Sequence, residues 1–239
     1  MDGRGTSLAL VVAAAGQGVR FESRLPKQYT PLLGIPILQR TLAALSSCRW
    51  VDALAVVVNP DVVDYCRTEI TNEHIGKVVT VVAGGDERPL SIRNGLEALA
   101  GLGTWDLVGV HDGARPLVTC EEVGRAVDTL IADVSLEGVV VAIPSADTIK
   151  TVNEQGFITG TPDRRVLWRA QTPQVFRWHV LMDAYAQADE LLLAATDDSS
   201  LVERRGGKVA VVEGSPENVK ITDPADLRLA EHILAERRR

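Results

Sequence analysis

The chain has 239 residues, of which 46% are hydrophobic, so it is long enough to bury a sizeable core in one large α/β domain or two small ones. Its formal net charge of -7 argues against a general nucleic-acid-binding protein, because a phosphate backbone is normally met by a basic surface. Its longest apolar runs reach only strand length and its polar start shows no cleavable signal pattern, so we expect a cytoplasmic protein without a membrane segment.

Short apolar runs alternate with helical patterns along the chain. Continuous runs of this length are typical of strands that are covered on both faces, as in a parallel sheet. The runs are Leu8–Ala14, Ala53–Val58, Val78–Ala83, Leu107–Val110, Gly138–Ile143 and Lys208–Val212. Helical periodicity follows in "ILQRTLAALSSC", "PLSIRNGLEALAGL" and "CEEVGRAVDTLIADV". We expect a last helix in "DPADLRLAEHILAERR", with Asp223 as its N-cap and Pro224 at its first position.

This alternation predicts the fold class. We expect one α/β domain over residues 1–239, with a Rossmann-like, mostly parallel open sheet and helices on both faces. From Pro144 to about Phe176 the rhythm breaks, and short β-prone pieces around residues 153–156 and 161–163 predict an inserted hairpin. A short hairpin has little core of its own, so packing against another subunit is one way to stabilise it.

The first predicted strand ends in a glycine turn, "AAAGQGVRF". The turn is not a P-loop, because Lys27 follows a proline, and it is not a dinucleotide fingerprint, because Phe21 stands where the third glycine belongs. Gly16 and Gly18 still let successive N–H groups converge on an anion, and Arg20 and Lys27 add cations. We therefore expect an anion site here, the alternative being an ordinary turn with solvated basic residues.

Polar segments also follow the later predicted strands. Ligands of open α/β sheets bind beyond the carboxyl ends of the strands, so these segments should meet. After the third strand, "AGGDERPLSIRNG" offers Asp86, Arg88 and Ser91, and Ser91 also suits a helix N-cap. After the fourth strand, "VHDGARP" offers Asp112 for a ribose hydroxyl or a metal, while Arg115 either contacts a ligand or pairs with a nearby carboxylate.

Two further segments near the C-terminus carry candidate residues. In "ENVKITDP" we expect Lys220 on a short strand, with its side chain aimed at a pocket. In "ATDDSSLVE", residues 196–200 offer polar ligand contacts and equally suit the start of a helix.

The three cysteines are widely spaced. Cys48, Cys66 and Cys120 form no CxxC pair and no metal-ligand pattern with the four histidines. We therefore expect reduced, mostly structural thiols, with no zinc site and no disulfide framework.

Seven segments occur in an order and at a spacing that carry a family resemblance. They are "AAAGQGVRF…LPKQY", "GGDERPLS", "VHDGARP", "DTIK", "LWRAQTPQ", "TDDSSLVE" and "ENVKITDP". Together they resemble the 2-C-methyl-D-erythritol 4-phosphate cytidylyltransferases of the non-mevalonate isoprenoid pathway, over about residues 8–235. The resemblance implies transfer of CMP from CTP to the sugar-alcohol phosphate by in-line attack on the α-phosphorus, with Mg²⁺ as cofactor. It also implies a homodimer formed through a β-arm at about residues 144–168.

The resemblance assigns roles by position. The catalytic cations would be Arg20, Lys27 and Lys220. The nucleotide-binding residues would be Ala14, Ala15, Gly16, Gly18, Gly85, Asp86, Arg88, Ser91, Asp112 and Gly113. The sugar phosphate would be held by Asp112, Arg115, Thr148, Arg164, Thr172 and Thr196, with Thr148 and Arg164 supplied by the partner's arm. Asp112 is also the candidate metal ligand, although the metal would be held mainly through CTP phosphates.

The sequence departs from the family pattern at a few positions and leaves two other functions open. Ala13 replaces a common proline, Leu90 a common aspartate and Gly113 a common alanine, and none of these changes removes a cation. A ribitol-5-phosphate cytidylyltransferase would share most of these loops and differ in its acceptor pocket. A non-catalytic nucleotide-binding protein is the alternative of another class, but such a protein would not need Arg20, Lys27 and Lys220 together.

Overall fold

The computed structural model describes residues 5–16, 26–71, 75–187 and 189–237. Its strands, in chain order, are β1 (Leu8–Ala14), β2 (Pro31–Leu32), β3 (Ile35–Pro36), β4 (Ala53–Val58), β5 (Val78–Ala83), β6 (Leu107–Asp112), β7 (Gly138–Pro144), β8 (Thr151–Val152), β9 (Ile158–Gly160), β10 (Trp168–Arg177) and β11 (Val209–Glu213). The α-helices are α1 (Ile37–Ser47), α2 (Val63–Tyr65), α3 (Arg88–Ala100), α4 (Cys120–Ala132), α5 (Trp178–Tyr185), α6 (Asp189–Leu193), α7 (Asp198–Arg204) and α8 (Pro224–Arg237).

The centre of the described structure is a seven-stranded sheet in the order β11-β7-β10-β6-β1-β4-β5. Strand β1 pairs in parallel with β4 and β6, whereas β10 runs antiparallel to both of its neighbours. The prediction of a mostly parallel sheet is therefore confirmed. The chain leaves β1 towards β4 and β5 and later returns to β6 on the other side of β1, which opens a crevice at the carboxyl end of β1.

Helices cover both faces of this sheet. Leu10 and Val12 of β1 lie in one core with residues of α1 and α4, whereas Val11 lies in a second core with residues of α3, α5 and α7. Both faces of β1 are thus buried, which is why its sequence is continuously apolar instead of alternating. Helix α8 packs over a third, smaller cluster around Ile221. None of the helices in the described residues is long and apolar enough to cross a membrane.

Helix ends follow the sequence signals in two places. The side chain of Asp223 accepts bonds from the backbone N–H groups of Ala225 (2.7 Å) and Asp226 (3.1 Å), and α8 begins at Pro224, so both expectations for this helix are confirmed. The side chain of Asp197 caps α7, which confirms the interpretation of residues 196–200 as a helix start. Thr196 lies immediately before that cap.

A hairpin is present within residues 144–176, the stretch in which the alternation of strands and helices breaks. Strands β8 and β9 pair around a turn in which Asn153 Oδ1 accepts from the N–H groups of Gln155 and Phe157, and Gly156 has a φ of +84°. Residues 168–177, by contrast, form β10 in the middle of the central sheet, so the last part of that stretch is a central strand that the sequence did not predict and is not part of the inserted hairpin. We refer to residues 145–167, which leave the sheet between β7 and β10, as the arm.

The hydrophobicity pattern of the sequence does not predict strand β10, because several of its buried side chains are polar. Gln171, Thr172 and Gln174 are each at most 6% exposed, and polar side chains so deeply buried normally need hydrogen-bond partners. The Gln174 amide bonds Asp197 Oδ2 (2.9 Å) and the N–H of Ser199 (3.0 Å), and the Gln171 amide donates to the carbonyl of Ser215 (2.8 Å). These partners come from distant segments, so a pattern of local hydrophobicity does not indicate a central strand.

Two further expectations are wrong. Cys48, which follows α1, and Cys120, which begins α4, form a disulfide with Cα atoms 5.0 Å apart, whereas Cys66 is a buried free thiol. No local spacing pattern marks this pair, because 72 residues separate the two cysteines. Lys220 is not on a strand: residues 214–223 are all described and form an irregular segment between β11 and α8.

Candidate functional site

A cavity of about 190 Å³ opens in the crevice at the carboxyl ends of β1, β5 and β6. Its lining residues include all the strand-end segments that the sequence singled out. They are Ala13, Ala14, Ala15, Gly16, Lys27, Gln28, Gly85, Asp86, Arg88, Ser91, Asp112, Ala114 and Lys220. Gly18 and Arg20, which were predicted to take part, lie outside the described residues. We call this cavity the crevice site.

The turn after β1 forms one wall of the crevice site. Gln28 is buried, and its side-chain amide donates to the carbonyl oxygens of Ala14 (2.6 Å) and Gly16 (3.2 Å). Gln28 lies in a single 3-10 turn, Lys27–Tyr29, so the same short segment that braces the turn also carries Lys27. Sequence reasoning missed the role of Gln28, and its position directly after Lys27 was the only local signal.

The loop after β5 forms the opposite wall. A Cβ at Gly84 would lie 2.5 Å from the Cβ of Ala15 and 2.7 Å from Ser91 Oγ, so only glycine allows these two walls to approach this closely. Ser91 lies within the first turn of α3, so its interpretation as an N-cap is wrong. Its hydroxyl instead accepts a bond from the Gly85 N–H (3.1 Å) and lies 3.2 Å from the Gly85 carbonyl, which fixes the loop that carries Asp86.

Asp112 lies at the end of β6 among three cations of the described chain. Its carboxylate is 2.9 Å from Lys220 Nζ, 3.4 Å from Arg115 Nε and 3.9 Å from Arg88 Nη2. Burial would raise the pKa of Asp112, but Lys220, Arg88 and Arg115 together hold that pKa far below its usual range. Asp112 is therefore ionised, and it pairs with Lys220 at the mouth of the crevice site.

Arg88 joins the crevice site to a second cavity. Its guanidinium binds the buried Asp198 carboxylate through two bonds, of 3.2 Å and 2.7 Å, and Tyr185 donates its hydroxyl to the same carboxylate at 2.5 Å. Burial alone would lower the pKa of Arg88, but the Asp198 carboxylate raises it above its ordinary value. Two-point binding fixes both the position and the plane of the guanidinium. Sequence reasoning named Arg88 but gave Asp198 no role.

A buried histidine, His111, is linked to Asp112 through the hydroxyl of Thr172. His111 is fully buried, with Nδ1 3.1 Å from Thr172 Oγ1 and Nε2 3.3 Å from the carbonyl of Arg115. Thr172 Oγ1 also accepts from the backbone N–H of Asp112 (3.1 Å). Burial lowers the pKa of His111 to about 4, so the ring is neutral near pH 7.

The residues expected to hold the acceptor lie in several different places. Thr196 lines a neighbouring cavity of about 390 Å³ that shares Arg88 with the crevice site. Thr172 is buried behind Asp112. Arg115 is also buried, with its Nε 3.4 Å from Asp112 Oδ2 and its Nη1 donating to the carbonyl of Asn218 (2.7 Å), so it forms the pair with a nearby carboxylate that the sequence left open. Thr148 and Arg164 are exposed on the arm, outside the residues that line these two cavities.

The donor set suits a metal that is held mainly by a ligand. The described residues contain no group of three or more His, Cys, Asp or Glu side chains arranged to bind a metal ion. The crevice site offers the carboxylates of Asp112 and Asp86. Magnesium is commonly bound by one or two carboxylates together with substrate phosphates, so these residues fit Mg²⁺ delivered with a nucleotide.

Comparisons with known proteins show which family this chain resembles over nearly its whole length. The family model described as 2-C-methyl-D-erythritol 4-phosphate cytidylyltransferase matches residues 8–236. Proteins of that name from Geobacter metallireducens and Geotalea uraniireducens are 44% and 43% identical to this chain, covering 95% and 94% of it and 97% and 95% of their own lengths.

Solved structures show the same similarity. The 4-diphosphocytidyl-2C-methyl-D-erythritol synthase from Anaerococcus prevotii superimposes with a TM-score of 0.80 at 30% identity, over 97% of this chain and 99% of that one. The 2-C-methyl-D-erythritol 4-phosphate cytidylyltransferase from Francisella tularensis gives a TM-score of 0.80 at 29% identity, over 95% and 99% of the two chains.

Proposed function

Because this chain belongs to the 2-C-methyl-D-erythritol 4-phosphate cytidylyltransferase family, and so transfers CMP from CTP to 2-C-methyl-D-erythritol 4-phosphate with release of pyrophosphate, we propose that the crevice site binds CTP. The observation that carries this proposal is the meeting of Lys27, Arg88 and Lys220 with the turn after β1 around one cavity. Glycine turns and cations together suit a triphosphate.

The chemistry needs charge neutralisation more than proton transfer. The attacking phosphate oxygen is already ionised near neutral pH, so no strong general base is required, and the buried neutral His111 is not placed to act as one. Two anions must approach in line, and fixed cations aimed at the developing charge lower that barrier. Lys27 and Lys220 line the cavity and would supply this charge, together with Arg20.

Asp112 and Lys220 change partners in this scheme. The Lys220 ammonium pairs with Asp112 at 2.9 Å. A bound triphosphate would compete for Lys220 and free one side of the Asp112 carboxylate. We propose that this carboxylate then serves the ribose or Mg²⁺, with Arg88 and Arg115 still nearby to keep it ionised. When bound, Mg²⁺ would neutralise triphosphate charge.

The base and the acceptor would occupy the two sides of Arg88. Gly85, Asp86 and Ser91 border the crevice site and would read cytosine, largely through the backbone that the Ser91 hydroxyl fixes. Thr196 lines the neighbouring cavity and would contact the sugar phosphate. Arg88, bound to Asp198 between the two cavities, would limit the size of the base.

We further propose a homodimer in which the arm reaches the partner's site. The arm and its junction with β10 expose an unusual amount of apolar surface for a small hairpin, which supports a covering subunit. The exposed side chains are Ile149 (41%), Val152 (57%), Phe157 (70%), Ile158 (63%), Val166 (74%) and Trp168 (43%). Thr148 and Arg164 lie on the same arm and would complete the partner's acceptor site.

We also propose that residues 1–239 form one nucleotidyltransferase domain that works in the cytoplasm.

Pyrophosphate release tests the proposed function directly. The purified protein is supplied with Mg²⁺, one acceptor and one of CTP, UTP, ATP or GTP, and each nucleotide is tested with methylerythritol phosphate and with ribitol 5-phosphate. We expect release above background with CTP and methylerythritol phosphate, and at least about tenfold less with the other pairings. Faster release with ribitol 5-phosphate would contradict the assignment of the acceptor, and binding of CTP without any release would contradict the transfer reaction.

A further inference from the structure

Lys220 is positioned by tertiary contacts instead of a strand. Residues 214–223 form no strand, yet the Lys220 ammonium reaches Asp112 at 2.9 Å from a side chain that is 41% exposed. A solvated lysine on an irregular segment has many rotamers, and placing its ammonium also requires that the backbone beneath it be fixed, which costs additional conformational entropy. Something outside the segment must therefore hold it.

The buried carboxylate of Glu122 contacts this segment. Glu122 lies in the first turn of α4 and is 1% exposed. Its Oε2 accepts from the backbone N–H of Thr119 (2.9 Å), while its Oε1 accepts from the backbone N–H of Ser215 (3.0 Å) and the side-chain amide of Asn218 (3.2 Å). One carboxylate thus joins the start of α4 to two points of the Lys220 segment.

The helix cap alone does not account for a buried carboxylate here. A capping box needs only one acceptor at this position, and glutamine serves as well as glutamate. Burying an ionised carboxylate is costly unless its oxygens are hydrogen-bonded, and bonds to an ionised acceptor are stronger than neutral ones. The second oxygen, Oε1, makes its bonds entirely to the Lys220 segment.

Asn218 links the Glu122 carboxylate to the backbone that carries Lys220. Asn218 is fully buried, and its side-chain amide also donates to the carbonyl of Thr172 (2.9 Å). Its own carbonyl accepts from Arg115 Nη1 (2.7 Å), and the N–H of Ile221 donates to the carbonyl of Ala114 (2.9 Å). The backbone is therefore fixed on both sides of Lys220, two residues before it and one residue after it.

We propose that Glu122, acting through Asn218, is a positioning residue for Lys220 in nucleotidyl transfer. This inference rests on the proposed function, in which Lys220 neutralises charge on the triphosphate. Glu122 is not among the residues that line the cavity, and its Oε1 bonds reach the Lys220 segment at Ser215 and Asn218, so the proposed effect on turnover passes through the placement of the lysine.

A double-mutant cycle on the full-length protein tests the inference. Glu122→Gln, Lys220→Ala and the double variant are compared with the wild type for kcat, KM for CTP and melting temperature. We expect Glu122→Gln to lower kcat by about 10–100-fold while KM for CTP changes by less than about threefold, because alignment in the transition state is lost and not ground-state binding. In the Lys220→Ala background, Glu122→Gln should lower kcat no further.

Thr119→Ala is the matched control. It removes the hydroxyl that caps α4 through the Glu122 N–H but keeps all three bonds of the Glu122 carboxylate. We expect it to lower the melting temperature and to leave kcat within about twofold of the wild type. If Glu122→Gln does not give folded protein, Asn218→Ala replaces it in the cycle with the same expectation.

The outcomes separate the inference from the proposed function. If Lys220→Ala is impaired but folded Glu122→Gln keeps the kcat of the wild type, the positioning role is overturned and the proposed role of Lys220 stands. The same holds if Glu122→Gln lowers kcat by an equal factor in the wild-type and Lys220→Ala backgrounds. Near-normal turnover of Lys220→Ala itself overturns the proposed role of the lysine and the inference with it.

Discussion

Acidification should destabilise the fold through His111. Thr172 Oγ1 accepts from the Asp112 N–H, so its own hydrogen is free to point to His111 Nδ1, and the proton of the neutral ring then lies on Nε2, facing the Arg115 carbonyl. A second proton on Nδ1 would require the Thr172 hydroxyl to turn, so that its oxygen accepts from Nδ1 as well as from the Asp112 N–H. Burial is the main reason why the pKa of His111 is lowered. The Asp112 carboxylate and the Arg115 carbonyl favour a charged ring, the positive charges of Arg115 and Lys220 disfavour it, and burial outweighs the favourable contacts.

The size and sign of this effect follow from linkage. His111 has a pKa of about 4 in the folded protein and about 6.5 when unfolded, so between these values the unfolded chain binds the extra proton. Stability is therefore highest above pH 6.5 and falls as the pH drops towards 4. Between pH 7 and pH 5 the loss amounts to about 2 kcal/mol. The depressed pKa of Asp112 acts in the same direction, but only below its unfolded value of 3.8, which is outside this window.

Urea unfolding at pH 7 and pH 5 measures this loss. The comparison includes His111→Gln, which cannot gain the proton, and His179→Gln, which changes an exposed histidine on α5. We expect the wild type and His179→Gln to lose about 2 kcal/mol more than His111→Gln on going from pH 7 to pH 5, whatever the starting stability of each variant. An equal loss in all three proteins would refute the assignment of His111 as a buried neutral ring.

Three further predictions concern the site, the dimer and the thiols. Asp198→Asn removes the charge that holds Arg88, so KM for CTP should rise by about tenfold, the worth of a charged hydrogen bond, whereas an unchanged KM would show that Arg88 does not need this partner. Lys27→Ala and Arg164→Ala homodimers should each be impaired, and mixing them should restore activity through hybrids with one intact site; no recovery despite proven subunit exchange would argue against a shared site. Thiol titration of unreduced, denatured protein should give one reactive thiol per chain, from Cys66, and three would contradict the Cys48–Cys120 bond.

Much of the fold could be predicted from the sequence because local patterns specify it. Strands such as Leu8–Ala14 and Ala53–Val58 are buried on both faces, so their apolar runs mark their full extent. Strand β10 was missed because Gln171, Thr172 and Gln174 are polar, and only partners from distant segments make their burial tolerable. A single sequence does not reveal such pairings.

The candidate site likewise contains some residues that the sequence indicates and others that only the structure reveals. Asp112 and Lys220 stand out in the sequence as polar residues in apolar surroundings, and the structure brings them within 2.9 Å of each other. The supporting residues are harder to find: Gln28, Glu122 and Asp198 each match a common surface or cap pattern. Their roles depend on bonds to residues 12 to 110 positions away, such as the Gln28 bond to the Gly16 carbonyl and the Asp198 bond to Arg88.

The central claim is that CTP binds at the carboxyl ends of β1, β5 and β6, and amide hydrogen exchange with and without CTP and Mg²⁺ tests it most directly. We expect CTP to slow exchange in peptides covering residues 13–16 and 84–91, which border the crevice site. Peptides covering residues 39–44, beside a separate cavity between α1 and α8, should be unaffected and serve as the internal control. Protection of residues 39–44 without protection of residues 13–16 and 84–91 would contradict the account.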